Sequence, residues 1–288
     1  MRLKKGLMIS AIVTAGVLVL SGCAGGGGEA PPVDEGVEFE AGTTMADLNE
    51  AGTITIGTKF DEPLFGLAGL DGTPEGFDVE IGKMIAADLG IAAEDIEWVE
   101  TVGANREPFI ETGTVDLVIA TYTINDTRKE VIDFAGPYYI AGQDLLVLAG
   151  NPEGIEGPDD LADQVVCTVT GTTSFNNISE YETQNIIATD GFGNCLEPLR
   201  TGAATVMTTD NVVLAGLAAQ NEGEFELVNN VFTEEPYGIG LELGDDAFRA
   251  WINDLLEASF EDGRWAAAWE ATAGAELDLP ELPAVDRY

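Results

Sequence analysis

The sequence predicts an α/β protein of two lobes, each built on a largely parallel sheet. Three observations predict it. The chain has 288 residues, more than one ordinary hydrophobic core holds. Short β-branched runs alternate with helix-patterned stretches along it. Hydroxyls, cations and one acid recur where strands end, in both halves, and open α/β sheets bind ligands at that edge.

In chain order, residues 1–23 read as an export leader. Arg2, Lys4 and Lys5 precede the apolar run "GLMISAIVTAGVLVL". "LSGC" then brings small residues up to Cys23 and resembles a bacterial lipobox, whose cysteine becomes the lipidated N-terminus. An ordinary secretory leader or a membrane anchor are the alternatives. The run is short for a span, however, and no later segment is long and apolar enough to cross a membrane. Residues 24–43 are rich in Gly, Pro and Glu and read as a flexible tether.

Strand and helix signals then alternate. "TITIGT" (53–58) is β-branched. "FDVEIGKMIAADLG" (77–90) sets Phe77, Ile81, Ile85 and Leu89 near helical spacing and ends on a capping Gly. "IEWVET" (96–101) is a strand, "REPFIETG" (106–113) a short helix and "VDLVIATYT" (115–123) a buried strand. "DLLVLAG", "QVVCTVTG" and "ATVMTTD" are further strands, with helical stretches at 174–181, 195–202 and 211–220. "EPYGIGLELG" (235–244) is a strand, and residues 245–274 form two helices broken near Gly263. On this plan Lys59, Thr121, Thr123, Thr172, Thr173 and Asp210 all fall at or just beyond strand ends, and Arg106 opens the short helix.

Composition removes several function classes. Lys+Arg number 12 against 52 Asp+Glu. Loss of the leader takes three cations and leaves 9, a net charge of −43. Such a chain offers no basic surface for nucleic acid. Its self-repulsion is best tolerated where salt screens it. Histidine is absent, which excludes Ser-His-Asp and Cys-His pairs, HExxH zinc sites and the commonest general base. "GLDGTPEGFD" lacks the ligand spacing of a calcium loop and reads as a turn into a helix. No catalytic set, metal site or cofactor motif emerges. Cys167 and Cys195 stand 28 positions apart. In an exported chain they favour a disulfide, and two buried free thiols are the alternative.

The ordinary structural readings are plain. Arg128 in "TYTINDTRKEVIDFAGPYY" (121–139) could sit on the surface beside an acid. Asp210 before "NVVLAGLAAQ" suits a helix N-cap. Lys59 and Arg106 could neutralise local acids, the threonines could merely end strands, and "FAGPYY" could be packing alone.

Six stretches in order carry a resemblance: "IGTKFDEPLFGL" (56–67), "GFDVEIGKMIAADLG" (76–90), residues 105–147, "CTVTGTTS" (167–174), "MTTDNVVLAG" (207–216) and "EPYGIGLELGD" (235–245). Together they resemble the amino-acid-binding branch of ABC-transporter solute-binding proteins, and within it the actinobacterial-type glutamate-binding lipoproteins. The likeness runs from about residue 50 to 275. It implies a type II periplasmic-binding-protein clamshell that traps its ligand by lobe closure. Lobe one would comprise 44–146 and 237–288. Lobe two, 147–236, would be inserted through hinges near Gln143–Leu148 and Glu234–Gly240. The two cysteines sit where that glutamate-binding group has a pair.

By the same resemblance Arg128 clamps the ligand α-carboxylate with a planar fork of donors. Thr123 adds a hydroxyl and an N–H, the Thr121 carbonyl and Asp210 meet the α-ammonium, and Thr172 and Thr173 donate from lobe two. Lys59 and Arg106 stand where the family reads the side chain, and two cations there imply glutamate first and aspartate second. Asn125 departs from the commoner Thr or Ser, and Val169 from a Lys. The implied partners are a free L-amino acid, permease subunits with their ATPase, and the membrane through the lipid, for a monomer on the outer face of the cell. An exported dehydratase on the same fold and a sensory module are the competing functions.

Overall fold

The computed structural model describes residues 31–34 and 36–288. The leader, Cys23 and the first part of the expected tether lie outside the described residues. The later part of that tether packs on the first lobe. Asp34 N–H donates to the Ala87 carbonyl at 3.0 Å, and Phe39 meets Trp251 edge-on at 5.8 Å.

The elements in order are α1 (Thr44–Ala51), β1 (Ile54–Thr58), β2 (Asp61–Glu62), β3 (Gly66–Ala68), β4 (Pro74–Glu75), α2 (Phe77–Asp88), β5 (Ile96–Glu100), α3 (Arg106–Glu111), β6 (Leu117–Val118), α4 (Asp126–Lys129) and β7 (Asp133–Ala141). Next come β8 (Gln143–Leu148), β9 (Val165–Val169), α5 (Thr173–Ile178), β10 (Asn185–Thr189), α6 (Leu196–Thr201), β11 (Val206–Asp210), α7 (Asn211–Gln220) and β12 (Phe225–Leu227). The chain then returns through β13 (Glu235–Leu241), α8 (Asp246–Asp262) and α9 (Arg264–Ala271).

Two five-stranded sheets follow one plan. The first has the order β5-β1-β6-β13-β7 and the second β10-β9-β11-β8-β12. In each, three neighbouring strands are parallel, and the fourth runs antiparallel to them. The protein is thus an α/β clamshell with mixed sheets flanked by helices. The parallel strands of both sheets end toward one cleft, which gathers their C-terminal loops.

The change of sheet falls earlier than expected. β8 pairs only within the second sheet, so the first crossing is at Gly142 and not within Gln143–Leu148. The return crossing lies beside it. Gln143 N–H donates to the Thr233 hydroxyl at 2.9 Å, and a Cβ on Gly142 would come within 2.5 Å of the Thr233 carbonyl. Only glycine lets the two connections touch.

Other elements were invisible to periodicity. The stretch 115–123 gives only a two-residue β6. Thr121 adopts φ 43°, its N–H turns to Asp78 Oδ2, and the chain leaves the sheet until Thr123 bridges Tyr237. "GLDGTPEGFD" holds the β3–β4 turn before α2 begins. Gly76 is required there, because a Cβ would meet the Phe65 carbonyl at 2.3 Å. Residues of "FAGPYY" form part of β7 and pack in an aromatic core. Phe77 meets Trp265 and Trp269 edge-on at 5.3 and 5.1 Å, and Tyr139 stacks on Trp269 at 5.1 Å. Cys167 and Cys195 are bonded, tying β9 to the turn before α6.

Candidate functional site

The cleft is shut. Arg106 Nη2 and Arg128 Nη2, from lobe one, both donate to the Gly171 carbonyl of lobe two, at 3.1 and 3.3 Å. Glycine is needed at the contact. It has φ 77°, and a Cβ would lie 2.8 Å from the Ala104 backbone. Lys59, Arg106, Thr121, Thr172, Thr173 and Asp210 face one internal cavity. About 10 Å³ of it is free, room for a single water, so an amino acid enters only when the lobes part.

Arg128 and Thr123 do not line this cavity; they touch lobe two beside it, at the Gly171 carbonyl and the Thr173 hydroxyl. Arg128 is the third residue of α4, where the Asn125 side chain accepts from its backbone N–H at 2.9 Å and caps the helix. Asparagine therefore does the work of the commoner Thr or Ser. The Arg128 guanidinium donates to the Thr123 carbonyl at 2.6 Å and to Glu107 at 3.0 Å. It also faces an outer hollow of about 410 Å³ lined by Glu107, Asn125 and Asn176. Arg128 is thus both buried and acid-paired, and the surface reading fails on exposure alone.

Arg106 is buried and has no carboxylate partner among the described residues. Its donors reach only carbonyls, those of Gly103, Ala120, Thr121 and Gly171. Its guanidinium and that of Arg128 both lie over the Tyr122 ring, at 4.3 and 4.7 Å from the centroid. Lys59, by contrast, is ion-paired with buried Glu62 at 2.8 Å. The Thr121 hydroxyl donates to the other oxygen of Glu62 at 2.8 Å.

Lobe two supplies the acid. Asp210 occupies the N-cap position of α7, yet its side chain makes no capping bond. Tyr237 donates to Oδ2 at 2.6 Å, and Oδ1 is buried without a partner. Burial, then the charge of Glu235, pushes this carboxyl up to about 7. Thr172 is the N-cap of α5 and spends its hydroxyl there, accepting from Phe175 N–H at 3.1 Å and donating to the Val169 carbonyl. Thr173 meets Thr123 hydroxyl to hydroxyl at 3.4 Å across the cleft. Val169 places no cation in this lobe's rim.

The sequence reading missed several members. Glu62 and Asp78 lie beneath Lys59 and Thr121, and burial pushes Asp78 to about 7. Tyr122, Gly171, Ser174 and Thr209 also line or shape the cleft. Tyr122 and Gly171 sit one residue from candidates, so adjacency was a usable signal. Glu62 stands three residues from Lys59, but as one of 52 acids it gave no sign of burial.

The model of the bacterial extracellular solute-binding proteins, family 3, matches residues 54–271. The chain belongs to this family. Among its relatives, the glutamate-binding protein GluB of Corynebacterium efficiens is 37% identical over 237 residues, 78% of this chain and 80% of that protein. The ABC transporter glutamine-binding protein GlnH of Bacillus subtilis is 32% identical, over 91% and 95% of the two chains. A solved L-cysteine solute receptor of Neisseria gonorrhoeae superposes with a TM-score of 0.75 at 30% identity, covering 81% of this chain and 95% of that one. This family's members bind free amino acids outside the cell for ABC transporters, and the chain shares that role. No described helix is long and apolar enough to cross a membrane.

Proposed function

We propose that the protein captures glutamate, with aspartate second, and delivers it to an ABC permease while held to the outer membrane face by a lipid on Cys23. The observation that carries the reading is the match of charges around one cleft. Lobe one brings Lys59, Arg106 and Arg128, and lobe two brings Asp210 with an unpartnered buried oxygen. A dicarboxylic amino acid presents two anionic ends and one ammonium. Arg128 with Thr123 takes the α-carboxylate, and Asp210 with the Thr121 carbonyl takes the ammonium. Arg106 and Lys59 take the side chain, and Thr173 donates from lobe two as the lobes close. Arg128, pulled down to about 10 by burial and by Arg106, stays charged at neutral pH.

Glutamine is the second reading. Glu62 pairs Lys59 and Glu107 pairs Arg128, so of the three cations Arg106 alone lacks an acid partner among the described residues, and the relative GlnH is named for glutamine. Binding without turnover is supported by the naming of these relatives as binding proteins.

Titration calorimetry of the ligand-free chain from Ala24 onward tests this, with glutamate, aspartate, glutamine and arginine at low and high salt. We expect one-to-one binding of glutamate at roughly micromolar Kd or tighter, about −8 kcal/mol. Binding of arginine alone, or of none of the four, overturns the proposal.

A further inference from the structure

Two buried ions stand behind the side-chain end of the cleft. Lys59 follows β1 and Glu62 ends β2, with side chains 2% and 0% exposed and 2.8 Å apart. Lys59 and Thr121 face the cavity, and both hold Glu62, which sits behind them. The other acid-paired cation of the cleft differs, because Glu107 beside Arg128 is 23% exposed and can be screened by water. The charge of Glu62 can only be met by Lys59 or by a proton.

We infer that Glu62 sets the charge preference of the side-chain end of this site, holding Lys59 as a neutral pair for an amide and releasing it for a carboxylate. The inference rests on the amino-acid-binding reading above and deepens it. A neutral amide docks against the intact Lys59–Glu62 pair without rearrangement. A second carboxylate instead takes over the Lys59 ammonium. Glu62 is then left buried without its counter-ion, and it accepts a proton from bulk water as the lobes close. Its protonated oxygen remains beside the Thr121 hydroxyl, which can accept that hydrogen.

The surroundings favour this exchange. Burial already raises the proton affinity of Glu62. Lys59 opposes the rise and Asp61 adds to it. The other charged or titratable groups coupled to Glu62 are Asp78 on α2, Asp210 on β11 and Tyr237 on β13, with Tyr138 on β7. The three acids Asp61, Asp78 and Asp210 all disfavour a bare Glu62 carboxylate once Lys59 turns away. Asp78 and Asp210 meet the same backbone and ammonium whichever ligand is bound, so a comparison of two ligands isolates the side-chain end.

The test is calorimetry of wild type and Glu62→Gln with glutamate and glutamine. We expect the substitution to raise the glutamate-to-glutamine affinity ratio at least tenfold. An unchanged ratio, or a shift toward glutamine, overturns the inference. A second measurement needs no variant. Titrating wild type near pH 7 in two buffers of different ionisation enthalpy counts protons, and glutamate should take up close to one more than glutamine. Equal proton counts for the two ligands overturn the inference as well. If wild type binds neither amino acid, the site reading itself fails; if it binds and the ratio and proton counts do not differ, only the role of Glu62 fails.

Discussion

The two lobes share a sheet plan but differ in what holds them together and in what they bring to the cleft. Lobe one contains all four tryptophans and the aromatic cluster around Phe77, Tyr139, Trp265 and Trp269. Such rings bury large apolar areas and pack both edge-to-face and stacked. Between Gln143 and Glu234 there is no tryptophan, and a disulfide crosses from β9 to the turn before α6. The charge division is as sharp. Lys59, Arg106 and Arg128 all come from lobe one, whereas the only Lys or Arg of lobe two is Arg200, on its surface. The lesson is a sequence of events. On the function proposed above, the open first lobe would hold the anionic ends of a ligand by itself, and the second lobe would add Asp210, hydroxyls and the Gly171 carbonyl on closing.

The largest break in this comparison should come from the cross-link. Opening the 28-residue loop with Cys167→Ser and Cys195→Ser should destabilise lobe two by about 3–4 kcal/mol in the chain-entropy account. Urea unfolding should then show far-ultraviolet dichroism changing before the tryptophan fluorescence, which reports lobe one alone. Coincident transitions would mean that the lobes unfold as one unit.

The charge division is sharpened by a pair of substitutions. Arg128→Ala should weaken glutamate binding about 100-fold, roughly 2.7 kcal/mol, because it strips donors from a carboxylate. Asp210→Asn in the closing lobe should cost nearer tenfold, since the amide still accepts from the ammonium. Calorimetry of both variants checks the order, and a larger loss in Asp210→Asn would reverse the assignment of first contact to lobe one.

The last test is the pH response of the two buried acids, one per lobe. Asp78 and Asp210 are each held near 7 against an ordinary 3.8, chiefly by burial. The folded state therefore binds more protons than the unfolded one between about pH 4 and 7. Their contribution to stability is complete below that window and is lost as pH rises through 7. Ligand affinity should run the other way, because the ammonium needs the Asp210 carboxylate, and should level off above pH 7. Thermal midpoints and glutamate titrations from pH 5 to 8 measure both slopes. A stability that rises across this window would show that these acids are not protonated in the fold.

Much of the architecture was legible. The alternation of β-branched runs with helical spacing gave α2, β1, β5 and the α8–α9 break at Gly263, because local pattern and final burial agree in those elements. It failed where the tertiary structure overrode the pattern. The apolar run 115–123 reads as one strand, yet the chain turns out of the sheet at Thr121 to give its N–H to Asp78, 43 residues earlier. β7 hides in "FAGPYY", whose aromatics report packing and not pairing. Asp210 has the position of a helix cap, and only the approach of Tyr237 turns its carboxylate toward the cleft.

By itself, then, the sequence determined the kind of protein this is: a two-lobed α/β chain, acidic, without histidine chemistry, with cations and hydroxyls gathered at strand ends. Those properties follow from composition and short-range periodicity, which a chain carries before it folds. Which charges remain free was decided only by the tertiary structure. Lys59 and Arg106 look alike in the sequence, but folding sets Glu62 against the first and only carbonyls against the second. Glu62 stands only three residues from Lys59, but whether such neighbours pair in a buried site depends on distances of a few ångströms that linear spacing does not fix.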